Sequence, residues 1–394
     1  MNVENKLLAP LITPALTLRN RVVMAPMSRR RSSNGVPGPT AHIYYGQRAG
    51  AGLIIAENSA VAANGIGYLN APGIYNEAQQ AAWKKVVDEV HAKNGKIFIQ
   101  LVHTGRIGHP LNHEGQAQLV APSALRAEGV MRTPGDVYLP MPVPLELSTG
   151  ETQALVAAHV QAATAAIEVG FDGVEIHGAH GFLVEQFLHP HTNRRTDHYG
   201  GNIANRARFL LEIVEGIAAA IGKERTGVRL SPFAVLNDLP AYDEELATHQ
   251  YVTDALERIG ILYLHLSNQP VNGEAAINNA YLKEIRQRFS NFLIFAGGQT
   301  AASAEALLQA GLVDLVAFGR PFIANPDLVE RFRHNAPLTP GNSETFYQGG
   351  DTGYIDYPVV YADADVCDAS IWAGRKYHPA ECDGYTTSCS ISPK

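Results

Sequence analysis

The sequence predicts an α/β fold made of a single (β/α)8 TIM barrel, with a long loop after its third strand and a C-terminal extension. Three observations predict it: eight short runs rich in β-branched or apolar residues, amphipathic stretches with helix-start signals between them, and glycine-bearing turns after the last two runs. The length of 394 residues allows one large domain or two ordinary ones, because barrels of this kind run past about 250 residues with insertions. The alternation of elements therefore decides for one barrel.

In chain order, strands are expected at Val22 to Ala25, Leu53 to Asn58, Lys96 to Leu101, Gly173 to His177, Gly227 to Ser231, Leu262 to Ser267, Phe292 to Gly297 and Leu315 to Gly319. Eight is the number that closes a parallel barrel. Helices are expected at Gln79 to Lys93, Ile203 to Ile221, Glu244 to Ile259, Tyr281 to Phe289 and Ala301 to Ala310, where small and apolar residues recur at helical spacing. Ser148 with Glu151 reads as a capping box opening a helix through Glu168, and Asn325-Pro326-Asp327 reads as a cap, a first-turn proline and a favourable first-turn charge. The Gly-, Pro- and His-rich stretch from Val102 to Leu147 is too long for a plain connection and is expected to cover the mouth of the barrel. Residues 1–358 form the expected barrel and 359–394 an extension without clear periodicity.

Composition narrows the function. Hydrophobic residues at 46% and charged residues at 18% are the balance of a chain with a large buried core. A net charge of -7 gives no general attraction to nucleic acid or anionic lipid, while a local site for one phosphate stays open. No apolar run reaches the roughly 18 residues of a membrane helix, and MNVENKLLAP carries no basic region followed by an apolar stretch, so a cytoplasmic protein is expected. The three cysteines, Cys367, Cys382 and Cys389, fall in the extension, so no disulfide framework holds the barrel. With His378 they number four ligand types, but their spacing lacks the close pair of a zinc site, and no metal is expected.

In a barrel, residues just after each strand converge on one mouth. After the fourth expected strand His177 and His180 stand three residues apart. Imidazoles there can donate hydrogen bonds to a carbonyl or nitro oxygen and stabilise charge that develops on hydride attack; a metal pair or two structurally satisfied histidines are the plainer alternatives. Gly297 and Gly298 follow the seventh strand, and Gly319 with Arg320 the eighth. Glycine amides and a guanidinium fork at these two loops favour a phosphate-bearing ligand. No dinucleotide fingerprint and no P-loop is present, which disfavours a tightly held Rossmann-type NAD or an ATP site. On these features alone, a lyase that holds a sugar phosphate is as compatible as an oxidoreductase.

Several separated segments go further. They are Asn20-Arg21-Val22-Val23-Met24-Ala25-Pro26-Met27-Ser28-Arg29, the run Gln100 to Arg106, the histidine pair, Arg194 to Asn202 followed by Asn205-Arg206, both glycine loops, and Phe346-Tyr347-Gln348-Gly349-Gly350. Together they resemble the Old Yellow Enzyme family of FMN-dependent ene-reductases over residues 8–358. The resemblance implies bound FMN, with NADPH or NADH as transient reductant and a small electrophilic alkene as acceptor, in a monomer or homodimer. It implies that Ala25, Pro26, Met27 and Ser28 line the flavin, with the Ser28 hydroxyl near a ring carbonyl and Asn58 close by. Gln100 and Arg229 would meet the pyrimidine side of the ring. Gly297, Gly298, Gly319 and Arg320 would hold the phosphate, His177 and His180 the acceptor's oxygen, and Tyr68, Val102, Phe346 and Tyr347 the substrate side.

Three positions depart from the family pattern, one of them Asn58, which stands where a small residue is common near the flavin. Most members carry a tyrosine two residues after the second histidine, thought to protonate the acceptor, and here that position is Phe182. A phenyl ring cannot donate a proton. Water or another tyrosine would supply it, or the acceptor would need no such acid, or the reduced intermediate would rearrange and be reoxidised, giving net isomerisation. Val102 stands where many relatives have tryptophan, and the smaller side chain implies a wider pocket.

Overall fold

A computed structural model describes residues 5–361 except 114 and 116. Eight strands close a parallel barrel in sequential order: β1 (Val22–Met24), β2 (Leu53–Ala60), β3 (Ile97–Val102), β4 (Gly173–Gly178), β5 (Thr226–Leu230), β6 (Tyr263–Ser267), β7 (Phe292–Ala296) and β8 (Leu315–Phe318). Each expected strand is present within one or two residues. The outer helices are α1 (Ala41–Gly46), α2 (Glu77–Ala92), α3 (Thr149–Val169), α4 (Leu183–Leu188), α5 (Ile203–Ile221), α6 (Glu245–Ile259), α7 (Asn279–Arg288), α8 (Ala301–Gln309), α9 (Arg320–Ala324) and α10 (Leu328–Arg333).

Strand periodicity divides the core in two. One set of alternate residues, such as Val22, Met24, Ile54, Ile99, Val174, Ile176, Val228, Leu264 and Val316, packs outward under the helices. The other set fills the barrel: Val23, Leu53, Ile55, Phe98, Tyr263, Ile294 and Leu315, joined by Leu11, Leu16 and Leu18 of a hairpin (Leu11–Ile12 with Thr17–Leu18). That hairpin covers the amino-terminal end, where a cleft of about 600 Å³ opens between it and Lys96, Asp172 and Arg225.

The capping box is real: the Ser148 hydroxyl accepts from the Glu151 N–H, the Glu151 carboxylate accepts from the Ser148 N–H, and Gly170 ends α3 at φ 112°. The reading of Asn325-Pro326-Asp327 needs correction. α9 ends before it and α10 begins after it, with Asp327 as N-cap. Those side chains are taken by other work: Asn325 Nδ2 donates to the Pro321 and Thr339 carbonyls, and Asp327 pairs with Arg331 at 2.8 Å and accepts from the N–H groups of Val360 and Tyr361. The long stretch after β3 also holds structure of its own, a hairpin of Val130–Thr133 with Val137–Pro140 and a short parallel pairing of Val120–Ala121 with Leu145–Glu146. Short helices α1, α4 and α9 gave no periodic signal at five or six residues each. Of the expected extension 359–394, everything past Tyr361, including the cysteines and His378, lies outside the described residues.

Candidate active site

Inward-facing positions change character along the strands. Near the amino-terminal end they are Phe98, Gly227 and Tyr263; one step further they are Gln100, Arg229 and His265, and further still Ser267. Strand register then sets neighbours side by side, pairing Glu175 with Gln100, His177 with Arg229, and Arg229 with His265. The result is a polar layer over an apolar one. Gln100 Nε2 donates to Glu175 Oε1 at 2.7 Å, and His265 Nδ1 lies 2.8 Å from Glu175 Oε2, all fully buried. With its amide nitrogen committed to Glu175, Gln100 has its carbonyl oxygen left as an acceptor.

The histidine pair sits on the rim of this layer. The rings are 5.3 Å apart and nearly perpendicular. His177 Nδ1 accepts from the Ala179 N–H at 3.3 Å, which leaves its proton on Nε2. For His180 the assignment comes from a chain of donors. Arg229 Nη2 donates to Ser267 Oγ at 3.2 Å and Gln269 Nε2 does so at 3.1 Å, so the Ser267 hydroxyl proton points to His180 Nε2, 2.9 Å away. His180 therefore carries its proton on Nδ1. Burial, then the Arg229 charge, holds both imidazoles well below their ordinary pKa near 6.5, so both are neutral with one N–H each. His180 adopts φ 59°, a sparsely populated conformation for a residue with a Cβ. It is kept there by its N–H to Ser231 Oγ at 2.9 Å and by Asn237 Nδ2 to its carbonyl at 2.8 Å.

The residues expected for FMN surround this layer and suit its two ends. Arg229 is buried with its Nε lacking a hydrogen-bond partner among the described residues, a deficit that the acceptor atoms of a flavin pyrimidine would fill. At the other end Gly298 is exposed at φ 65° with open space where a Cβ would lie, and a Cβ on Gly319 would meet only the Met27 side chain, at 3.5 Å. Arg320 is exposed beside them and forms no ion pair among the described residues. Glycine amides and an uncommitted guanidinium fit a phosphate. Gly297 differs: at φ 123° its missing Cβ leaves room for the Asn268 carbonyl, so its role is in the turn. Ala25, Pro26, Met27 and Ser28 follow directly on β1. The Ser28 hydroxyl donates to Asn58 Oδ1 at 2.8 Å, so its proton is committed to Asn58 rather than free for a ring carbonyl.

On the side expected to meet the substrate, Phe182 meets His177 edge to face at 4.9 Å and Tyr68 at 6.1 Å. Val102 is 3% exposed and packs in an apolar cluster with Ile107, Ala127, Met131, Met141 and Phe182, so methionines of the long loop lie on the side where a wider pocket is expected. Tyr347 is half-exposed at the rim. Phe346 is not brought to the histidines: its ring lies against Gly341 and its carbonyl accepts from Arg29 and Arg31. Sequence reasoning missed Glu175, His265, Ser267 and Asn237. The alternation Tyr263, His265, Ser267 along one strand was the available signal for two of them.

Comparison with known proteins follows the same outline. The profile of the NADH:flavin oxidoreductase / NADH oxidase family matches residues 6–339. Among similar sequences, 12-oxophytodienoate reductase 2 of Arabidopsis thaliana is 40% identical over 375 residues, covering 92% of this chain and 99% of that protein. Chanoclavine-I aldehyde reductase of Penicillium roqueforti is 40% identical over 364 residues, covering 89% and 96%. Among solved structures, morphinone reductase superposes with a TM-score of 0.86 at 45% identity, covering 91% of this chain and 98% of that one. The Old Yellow Enzyme homologue of Zymomonas mobilis gives 0.85 at 37% identity, covering 90% and 99%.

Proposed function

The chain belongs to the NADH:flavin oxidoreductase / NADH oxidase family, that of Old Yellow Enzyme, and from this premise we propose how its pocket works. It is an FMN-dependent NAD(P)H oxidoreductase of the ene-reductase type. FMN, when bound, supplies hydride transfer from NADH or NADPH to an activated double bond, in an enone, enal, nitroalkene or quinone.

Gln100, through its free carbonyl oxygen, and Arg229, through its unpartnered Nε, hold the pyrimidine side of the ring. Gly298, Gly319 and Arg320 hold the phosphate. His177 Nε2–H and His180 Nδ1–H converge on the acceptor's oxygen and draw charge toward it as hydride arrives. The observation that carries this reading is the hydrogen-bond pattern at the two imidazoles, which assigns their tautomers. Each imidazole has its other nitrogen occupied, so both present a donor at neutral pH without needing a second proton.

Phe182 supports a second reading. It is 5% exposed against His177 and offers no acid at the position where the family resemblance implies a tyrosine. A phenol does stand beside it, Tyr68, whose pKa burial pushes up from 10, so it stays protonated. Tyr68 or water completes net reduction; without either, the bond migrates and the formula is unchanged. Anaerobic reduction with NADPH followed by an enone and a nitroalkene tests both, with product mass as readout. A gain of two hydrogens supports reduction and an unchanged mass isomerisation. Phe182→Tyr should raise the yield of saturated enone by roughly tenfold or more, since a placed general acid contributes about 10²–10⁴ when it is needed. An unchanged enone rate would mean that the missing phenol does not limit protonation.

A further inference from the structure

Arg30 is a cation of the mouth that the chemistry above leaves unused. It lies past the end of β1, two residues after Ser28, at φ 53°, with the backbone N–H groups of Arg29 and Arg30 directed to the buried Glu57 carboxylate. Its neighbours on both sides are held by main-chain carbonyls. Arg29 donates to Phe346 and Gly353, and Arg31 to Arg29, Thr345 and Phe346. Among the described residues Arg30 has no such partners. Its guanidinium lies between two rings, 4.5 Å from the centroid of Tyr68 and 4.7 Å from that of Tyr347, and its Nε is buried without a hydrogen bond.

Tyr68, Tyr347, Tyr138 and a second cation, Arg132, act on this charge, and among the described residues no carboxylate forms an ion pair with it. Arg132 in turn faces Asp136, which is 69% exposed and turned to solvent. Two aromatic faces supply cation–π attraction but no acceptor in the plane of the guanidinium, so the in-plane donors are left for something else. The location is defined as well. Tyr68 touches Phe182, and Phe182 touches His177, so two rings separate Arg30 from the donor that faces the acceptor's oxygen.

We propose that Arg30 recognises a carboxylate on the acceptor, so that this pocket selects electrophilic alkenes carrying an anionic group at the end remote from the activated bond. This rests on the reading given under Proposed function. A planar fork clamped between two rings is oriented before binding and matches a carboxylate edge-on, while the tyrosine faces accept the apolar linker between alkene and acid.

The test compares carboxyalkyl cyclopentenones of graded chain length with their methyl esters, in the FMN-loaded enzyme. At low ionic strength the acid of fitting length should exceed its ester roughly tenfold in kcat/KM, a preference that salt erodes. In Arg30→Gln the acid-to-ester ratio should fall to about one, and in Arg30→Lys it should survive in part. Because the ratio is internal to each preparation, loss of folded protein does not alter it. A wild-type ratio near one, or a ratio that persists in Arg30→Gln, overturns the proposal and leaves Arg30 as a clamp between tyrosines. Weaker NADPH or NADH binding in the reductive half-reaction, with the acid-to-ester ratio intact, overturns it in favour of the dinucleotide phosphates as the anion. Turnover of neither acid nor ester, with a neutral nitroalkene also inert, removes the ene-reductase reading itself and this inference with it.

Discussion

The two ends of this barrel are built from the same eight strands and solve different problems. At the amino-terminal end the inward residues are Val23, Leu53, Phe98, Tyr263 and Leu315, packed under a leucine-bearing hairpin. At the carboxyl end the same rows continue as Gln100, Glu175, His177, Arg229, His265 and Ser267, buried polar groups that satisfy one another only in part. Orphaned polar atoms in a folded core are costly unless a ligand completes them. The difference teaches that one end stores stability and the other spends some of it on an unfinished hydrogen-bond network.

Four experiments would sharpen or break that division. The largest effect belongs to the plugged end: Phe98→Ala should cost about 3–5 kcal/mol of folding stability by denaturant titration, while flavin content per folded molecule holds. Loss of flavin without loss of stability would erase the distinction. Next, His177→Ala should slow the oxidative half-reaction about 10²–10³-fold, the size of a lost oxyanion donor, with the melting temperature little changed. Rapid-mixing kinetics would show it, and because burial and Arg229 keep both imidazoles neutral far below 6.5, the wild-type rate should not titrate near that pH.

The third concerns Glu185, which accepts from the Gly181 N–H and Ser231 Oγ beneath His180 and whose pKa burial raises from 4.5 to about 8. A carboxyl raised on folding holds more protons in the native state, so its stability contribution is complete below 4.5 and fades as pH climbs through about 8. Melting temperatures of the wild type should therefore decline over that window, and those of Glu185→Gln should decline less. The smallest effect is electronic. Asn58→Ala releases the Ser28 hydroxyl proton for a flavin carbonyl, and should raise the two-electron potential by about 10–30 mV, the equivalent of one ordinary hydrogen bond. A lower potential, or none measurable, would place that hydroxyl away from the ring.

Much of this was readable beforehand, for physical reasons. Barrel strands buried on both sides appear as dense apolar runs, and all eight are found close to their expected bounds. His177 and His180 were conspicuous because polar residues directly after such a run have few structural uses. Glu175 was hidden inside the run that announced the strand, since its meaning depends on which residue of β3 it lies beside, a matter of register that only closure of the barrel settles. Ser267 looked like any strand-ending hydroxyl until Arg229 and His180 were seen to share it. Arg30 was obscured by Arg29 and Arg31, three like residues whose fates diverge only once the Phe346 and Gly353 carbonyls arrive from the far end of the chain.

The sharing at Ser267 has a further consequence. One hydroxyl couples Arg229, proposed to meet the cofactor, to His180, proposed to meet the acceptor, so neither can be retuned alone. Ser267→Ala would loosen the grip on the ring and at the same moment free His180 to move its proton to the other nitrogen, so evolution toward new acceptors through this position must alter electron supply and electron demand together.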